Sequence, residues 1–241
     1  MNFLSAKWNN LIIANYIISP EYLLKYLPVG TEIDIWEDKC YVSLVGFMFK
    51  DTKVLGFKIP KHTNFEEVNL RFYVKRFENG AWKRGVVFIK EIVPKNAITF
   101  IANSLYKEHY QTRKMRHQIT ENETSKLFNY QWKVDGKWNT IKVETQKEYK
   151  EIEIDSEAEF ITEHYFGYTK YNDNTTFEYE VKHPRWEQLE VKNCMVKVDF
   201  KKNYGADFEI LQNAKPVSVL LAKGSQIKVE NKKTIRYEYQ S

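Results

Sequence analysis

Asn79-Gly80 and Asp135-Gly136 each stand between two runs in which apolar and polar residues alternate. A dipeptide that reaches positive φ without strain, flanked by a period of two, specifies a β-hairpin. Lys223-Gly224 marks a third turn between strand-like runs. The same period, carried by Val, Ile, Tyr and Phe, predicts strands at 7–17, 32–37, 39–49, 67–77, 84–93 and 124–134, then at 137–145, 175–182, 189–200, 217–222, 226–229 and 234–239.

Helical signals are few. Ser19-Pro20-Glu21 supplies a cap, a first-turn proline and an early acid, and Pro28 and Gly30 stop the apolar run that follows. Pro94 opens a second helix with Ile98, Ile101, Ala102 and Leu105 at helical spacing. Ser156 and Glu159 form a capping box for a short turn reaching about Glu163, and 205–211 reads as a fourth helix. The expected fold class is mainly β: a large, curved antiparallel sheet or barrel with a few short peripheral helices. No repeat, linker or low-complexity tract divides residues 1–241, so one domain is expected.

The charges narrow the function. Thirty-seven basic against 32 acidic residues leave a net charge of +5, and the two signs are interspersed, so no nucleic-acid partner is expected. No stretch approaches the apolar length of a membrane-spanning helix, and Met1–Lys7 lacks a basic leader, so the expectation is a cytoplasmic protein with no membrane partner. Cys40 and Cys194 are far apart, and the five histidines show no metal-ligand spacing. Phosphate-binding loops, dinucleotide fingerprints and nucleophile elbows are missing, so neither metal nor cofactor is expected. Aromatic residues at 15% suffice to line an interior or to feed a homo-oligomer interface, and oligomeric state stays open.

Alternation on one strand places Asn69, Arg71 and Tyr73 on one face and Leu70, Phe72 and Val74 on the other. If the polar face looks outward, Arg71 is ordinary surface; if it looks into a cavity, Arg71 offers a two-point clamp for a carboxylate. Glu66 and Glu67 precede the strand and can instead simply neutralise it. On the next strand the same alternation groups Glu91 with Gly85, Val87 and Ile89, as a base or orienting group or as a rim residue. Lys114, between Arg113 and Met115 with Arg116 and His117 following, reads either as a lysine whose neighbours favour the neutral amine or as an exposed basic loop. Glu163 beside His164 and Tyr165 is an acid/base candidate or a plain polar link. His183 and Trp186 flank a turn that can wall a pocket.

Taken together, Ala6–Leu11, Tyr26–Thr31, Tyr41–Phe47, Phe65–Val74, Arg84–Pro94, Met115–His117, Thr162–Thr169 and His183–Trp186 resemble the YqjF-like proteins, domain of unknown function 2071, in the acetoacetate decarboxylase-like superfamily. The resemblance implies a curved β-barrel or cone around a cavity, with Asn69, Arg71 and Tyr73 inward. It also sets Arg113 and Lys114 in the region where the decarboxylase carries two adjacent lysines, one of them the Schiff-base lysine. On this footing Lys114, Glu91, His164 and Glu163 are the catalytic candidates. Asn69, Arg71, Tyr73, Arg116, His117, Tyr165, His183 and Trp186 are the ligand-binding ones. The implied partner is a small organic acid or carbonyl compound, either acted upon by a lyase- or decarboxylase-like enzyme or held by a non-catalytic binding or sensing protein.

Overall fold

The computed structural model describes residues 2–237. Within them, fifteen strands join one sheet, accompanied by three short α-helices and three 3-10 turns. The chain is mainly β, as expected. Seven strands matter most for the interior: β1 (Asn2–Ile17), β3 (Tyr41–Val54), β4 (Phe65–Glu78), β5 (Ala81–Val93), β10 (Phe166–Asn172), β11 (Thr175–Lys182) and β14 (Gln226–Glu230). Each pairs with the next in the order β1-β3-β4-β5-β10-β11-β14, and β14 pairs with the first part of β1, so the path returns to its start. The pairing is not wholly antiparallel, because β5 runs parallel to β10 and to β6 (Tyr110–Thr112).

β1 belongs to both halves of the sheet. Residues 2–7 pair with β14, and Leu11–Asn15 pair with β13 (Ser218–Ala222). The change of partner falls at a bulge where Asn10 adopts φ 57°. From β13 the sheet continues through β12 (Glu187–Lys197), β9 (Lys137–Glu151), β8 (Lys126–Val134) and β7 (Met115–Glu121). The remaining short strands, β2 (Glu32–Ile33) and β15 (Lys233–Arg236), edge onto β4 and β11. The expected final strand at 234–239 corresponds to β15; its last two positions lie outside the described residues.

Two apolar clusters follow from the alternation. Leu44, Leu70 and Phe72 point to one side, where Trp132, Tyr130 and Ile141 of the continuing sheet cover them. Phe47, Tyr73 and Val86 point to the other, toward the interior closed by the helices. With both faces covered, β4 is buried along nearly its whole length, and Arg71 is only 8% exposed.

The hairpin turns at Asn79-Gly80 and Asp135-Gly136 form as expected, all four residues at positive φ. Lys223-Gly224 also turns the chain, yet β13 and β14 each pair elsewhere, so it is no hairpin. The segment after Pro20 forms two 3-10 turns rather than a helix. Pro94 does precede a helix, α1 (Asn96–Tyr106). Ser156 caps α2 (Glu157–Thr162) by accepting a hydrogen bond from the Glu159 amide at 3.2 Å. The strand expected at 189–200 stops at Lys197, because Asp199 caps α3 (Phe200–Tyr204) through the Lys202 amide. No helix among the described residues is long and apolar enough to cross a membrane.

Candidate functional site

A cavity of about 120 Å³ lies inside the returning path of strands, with α1 on one side and the segment after α2 on another. Its apolar lining comes from Phe47, Phe65, Val86, Phe88 and Ile98. Its polar lining is concentrated on β4, β5 and the residues that follow α1.

Glu67, Asn69 and Arg71 alternate inward along β4. Opposite Asn69 stands Glu91 of β5. Strict alternation would group Glu91 with Val87 and Ile89, but those two pack into the other core. The register shows why: Leu70 pairs with Lys90 and Arg71 with Phe88, leaving Ile89 as an extra residue. A bulge inverts the parity of the strand beyond it, so Glu91 shares the cavity face with Phe88 and Val86.

The third carboxyl group comes from Glu108. α1 ends at Lys107, whose φ of 57° reverses the chain, and Glu108 then turns inward. Asn103 fixes the next step: its side chain accepts from the Tyr110 amide at 2.8 Å and donates to the Tyr110 carbonyl at 3.0 Å. Tyr110 in turn donates its hydroxyl to Glu67 Oε2 at 3.2 Å, and Asn69 Nδ2 donates to Glu67 Oε1 at 2.9 Å. Glu108 Oε1 accepts from Thr169 at 2.7 Å and from Tyr179 at 3.0 Å. Gly167 makes room for Tyr179, since a Cβ there would sit 2.1 Å from the ring.

Burial dominates the electrostatics of this corner. It pushes Glu67 up to about 7 despite the hydrogen bonds from Asn69 and Tyr110. Glu108 is also pushed up to about 7 by burial, and Glu91 well above its ordinary value, with the Glu108 and Glu67 charges adding to the effect. Tyr110 and Tyr179 are raised as well, first by burial and then by the carboxylates, and so act as hydroxyl donors.

His164 lines another wall. Its Nε2 lies 3.1 Å from Asp34 Oδ2, and Asp34 also accepts from Arg84 Nε at 2.7 Å. Burial lowers the imidazole to about 4 against the pull of Asp34, so it is neutral at neutral pH. Burial works to raise Asp34, but the hydrogen bonds from His164 and Arg84 outweigh it and hold the carboxyl below its ordinary value.

Five buried atoms on the residues that line this space have no hydrogen-bond partner among the described residues: Trp8 Nε1, Asn69 Oδ1, Arg71 Nε, Glu91 Oε2 and His164 Nδ1. Buried polar groups are ordinarily paired. Glu178, equally buried, is held by Arg76 at 3.1 Å and Lys83 at 2.9 Å. Arg71 makes no ion pair or hydrogen bond among the described residues, and its guanidinium carbon sits 5.6 Å from the centre of the Tyr73 ring.

Of the expected residues, the structure brings together Asn69, Arg71, Glu91, His164, His183 and Trp186 around this cavity. Tyr73 lies behind them: its hydroxyl is 2.7 Å from Ser43 Oγ, and its ring centre is 4.8 Å from that of His164. Tyr165 backs His183, which stacks between it at 4.6 Å and Trp186 at 4.3 Å, and Glu163 accepts the Tyr165 hydroxyl. Lys114, Arg116 and His117 are exposed and do not line the cavity; Arg116 lies over Trp138, and His117 Nδ1 meets Glu66 at 2.6 Å. No lysine at all is among the lining residues. The placement of Lys114 follows from its position in the link between β6 and β7, whose backbone is tied outward to Lys133. The sequence reading missed Glu108, Tyr110 and Tyr179 and treated Glu67 as a neutraliser. Glu67 was detectable, since it continues the Asn69–Arg71 alternation.

With this geometry established, comparison with known proteins is informative. The family model for DUF2071, described as an uncharacterised conserved protein, matches residues 5–226. The chain belongs to the DUF2071 family. No curated protein matches this DUF2071 protein by sequence. By structure it is similar to the enduracididine biosynthesis enzyme MppR, solved with the condensation product of pyruvate and imidazole 4-carboxaldehyde. That likeness has a TM-score of 0.68 at 9% identity and covers 98% of this chain and 90% of that one. It is also similar to acetoacetate decarboxylase from Legionella pneumophila, with a TM-score of 0.64, 12% identity and coverage of 100% and 92%. An acetoacetate decarboxylase-like enzyme from Sphingomonas wittichii RW1 gives a TM-score of 0.64 at 9% identity, with coverage of 99% and 95%. At such identities the likeness concerns the fold, which this DUF2071 protein shares with acetoacetate decarboxylase-like proteins.

Proposed function

We propose that this protein holds a small oxo or carboxylate compound in the interior cavity and acts on it as a lyase- or decarboxylase-like enzyme. The returning path of strands is read as the wall of a barrel-like cone around the ligand. The observation that carries the proposal is Arg71: a buried guanidinium, without an ion pair among the described residues, lining a cavity beside three carboxyl groups. A charge left unpaired in the interior is costly unless something else neutralises it, and a bound carboxylate does so bidentately. The volume of about 120 Å³ is close to that of an engineered apolar cavity that takes benzene, so the ligand has about six heavy atoms.

The carboxyl groups supply the chemistry. Burial favours their protonated forms, so one of them can deliver a proton to a developing enolate, while neutral His164 carries an unpartnered Nδ1 as an acceptor. For a β-keto acid, the carbon–carbon bond to the carboxyl group breaks and its electron pair forms the enolate as CO2 leaves. A proton from a neighbouring carboxyl then completes the ketone. The non-catalytic reading, a binding or sensing protein, is favoured by one observation: no lysine lines the cavity, so no side chain there can form an imine.

The two readings separate in one NMR experiment. Acetoacetate, pyruvate and related short oxo acids are incubated with the protein while ligand and product signals are followed. Saturable line broadening with product formation above the buffer rate supports the enzyme. Broadening without product supports the binding protein, and neither effect from any acid overturns both.

A further inference from the structure

Resting on the reading of Arg71 as a carboxylate clamp, we propose that the natural ligand also carries a protonated nitrogen, received by the Glu67–Glu91–Glu108 corner, and is thus a short amino acid-like zwitterion. The unpartnered atoms carry the inference. Arg71 Nε and Trp8 Nε1 are donors and call for an acceptor on the ligand. Glu91 Oε2, Asn69 Oδ1 and His164 Nδ1 call for donors. Glu91 and Asn69 are each 2% exposed and are cross-strand neighbours on β5 and β4, so the two belong to one subsite. A simple oxo acid brings acceptors only and leaves Asn69 Oδ1 and His164 Nδ1 without a donor. An ammonium group brings three donors and a positive charge to the side of the cavity where carboxyl groups outnumber cations.

The ionisable groups facing that subsite are Glu67 and Arg71 from β4, Glu91 from β5, Glu108 and Tyr110 after α1, and Tyr179 from β11. Tyr106 of α1, His164 and His183 line the remaining walls. Among the described residues no three acidic, histidine or cysteine side chains converge as metal ligands, so an organic cation fits the corner better than a metal ion. Burial holds Glu67 and Glu108 near 7, so an arriving ammonium favours their ionised forms and releases protons. A zwitterion therefore binds more tightly as pH rises from 6 to 8. A plain anion binds more weakly over the same range, since it meets increasing negative charge.

Calorimetric titrations of the intact chain test this with L-alanine, β-alanine and 4-aminobutyrate against pyruvate, propionate and butyrate, at pH 6, 7 and 8 in two buffers of different ionisation enthalpy. At least one amino acid is expected to bind about tenfold tighter than its deaminated counterpart, with protons released and affinity rising with pH. Glu91→Gln, which keeps the shape and cannot ionise, should abolish that preference. Binding of the plain acids with equal or weaker binding of every amino acid overturns the zwitterion and leaves the carboxylate clamp standing. Failure of both series to bind overturns the clamp and the zwitterion together.

Discussion

His164 Nε2 lies 3.1 Å from Asp34 Oδ2, and that bond decides which ring nitrogen carries the hydrogen. A carboxylate accepts, so Nε2 carries the hydrogen and Nδ1 is left as an acceptor without a partner among the described residues. Arg84 anchors the same carboxylate and keeps it ionised. The arrangement resembles an oriented base, although its depressed basicity suits hydrogen bonding more than proton storage.

The Nε2–H tautomer should therefore persist through neutral pH, with protonation of His164 near 4. Two-bond proton–nitrogen correlation spectra of the histidine rings read both directly. In Asp34→Asn the carboxamide nitrogen can donate to Nε2, and we expect the opposite tautomer to become populated. An unchanged tautomer in the variant would show that Asp34 does not set it.

Arg71 offers a sharper signature of function. Its guanidinium is buried without an ion pair among the described residues, so Arg71→Met, which retains volume and removes charge, should leave folding stability unchanged or raise it by about 1 kcal/mol or more. For a chain of this size, each kcal/mol corresponds to a rise in Tm of roughly 2–4 °C. Thermal unfolding followed by circular dichroism measures it. A loss of several degrees would make Arg71 a structural residue.

The carboxyl corner makes stability depend on pH with a definite sign. Glu67 and Glu108 are raised by burial to about 7, so the fold favours their neutral forms. That contribution is complete below the unfolded-state value and is lost as pH rises through about 7. His164 acts oppositely: its contribution is present above its unfolded value and is lost as pH falls toward about 4. Glu108→Gln keeps an oxygen for Thr169 and Tyr179 and cannot ionise. Between pH 5 and 9 the wild type should lose more stability than this variant, by on the order of 3 kcal/mol. Urea unfolding at several pH values checks this, and parallel curves for the two proteins would contradict it.

Imine trapping distinguishes this site from a lysine-based one. Lys114 is exposed and outside the cavity lining, so borohydride reduction after incubation with acetoacetate should give no stoichiometric adduct there. Lys114→Gln should leave ligand binding unchanged. A single adduct on Lys114, found by peptide mapping, would mean that the β6–β7 link folds inward during reaction.

Most of the strands, the two Asn/Asp-Gly hairpins and the shared face of Asn69 and Arg71 could be read from alternation because the period of two is local information. The inward direction of that face came from the family resemblance, and β7 and β10 were not read at all. Glu91 was found, but with the wrong neighbours: a single extra residue at Ile89 inverts facing, and no dipeptide announces such a bulge. Glu108 follows a helix terminus where Lys107 turns left-handed, and Tyr179 comes from a strand more than 70 residues later. Their meeting is a property of the pairing path, in which β5 and β10 associate in parallel across a long connection. The short link containing Lys114 resembled a catalytic segment because clustered cations and an exposed basic loop look alike before burial is known.

The most direct test of the central claim is ligand titration observed at Arg71 itself, by the nitrogen and proton shifts of its Nε–H group. Short oxo and carboxylic acids, pyruvate and acetoacetate first, should shift that resonance saturably in the wild type, and Arg71→Met should lose at least tenfold in affinity by calorimetry. Affinity retained in Arg71→Met, or an Nε–H resonance that no acid moves, would show that the buried guanidinium is not where the ligand is held.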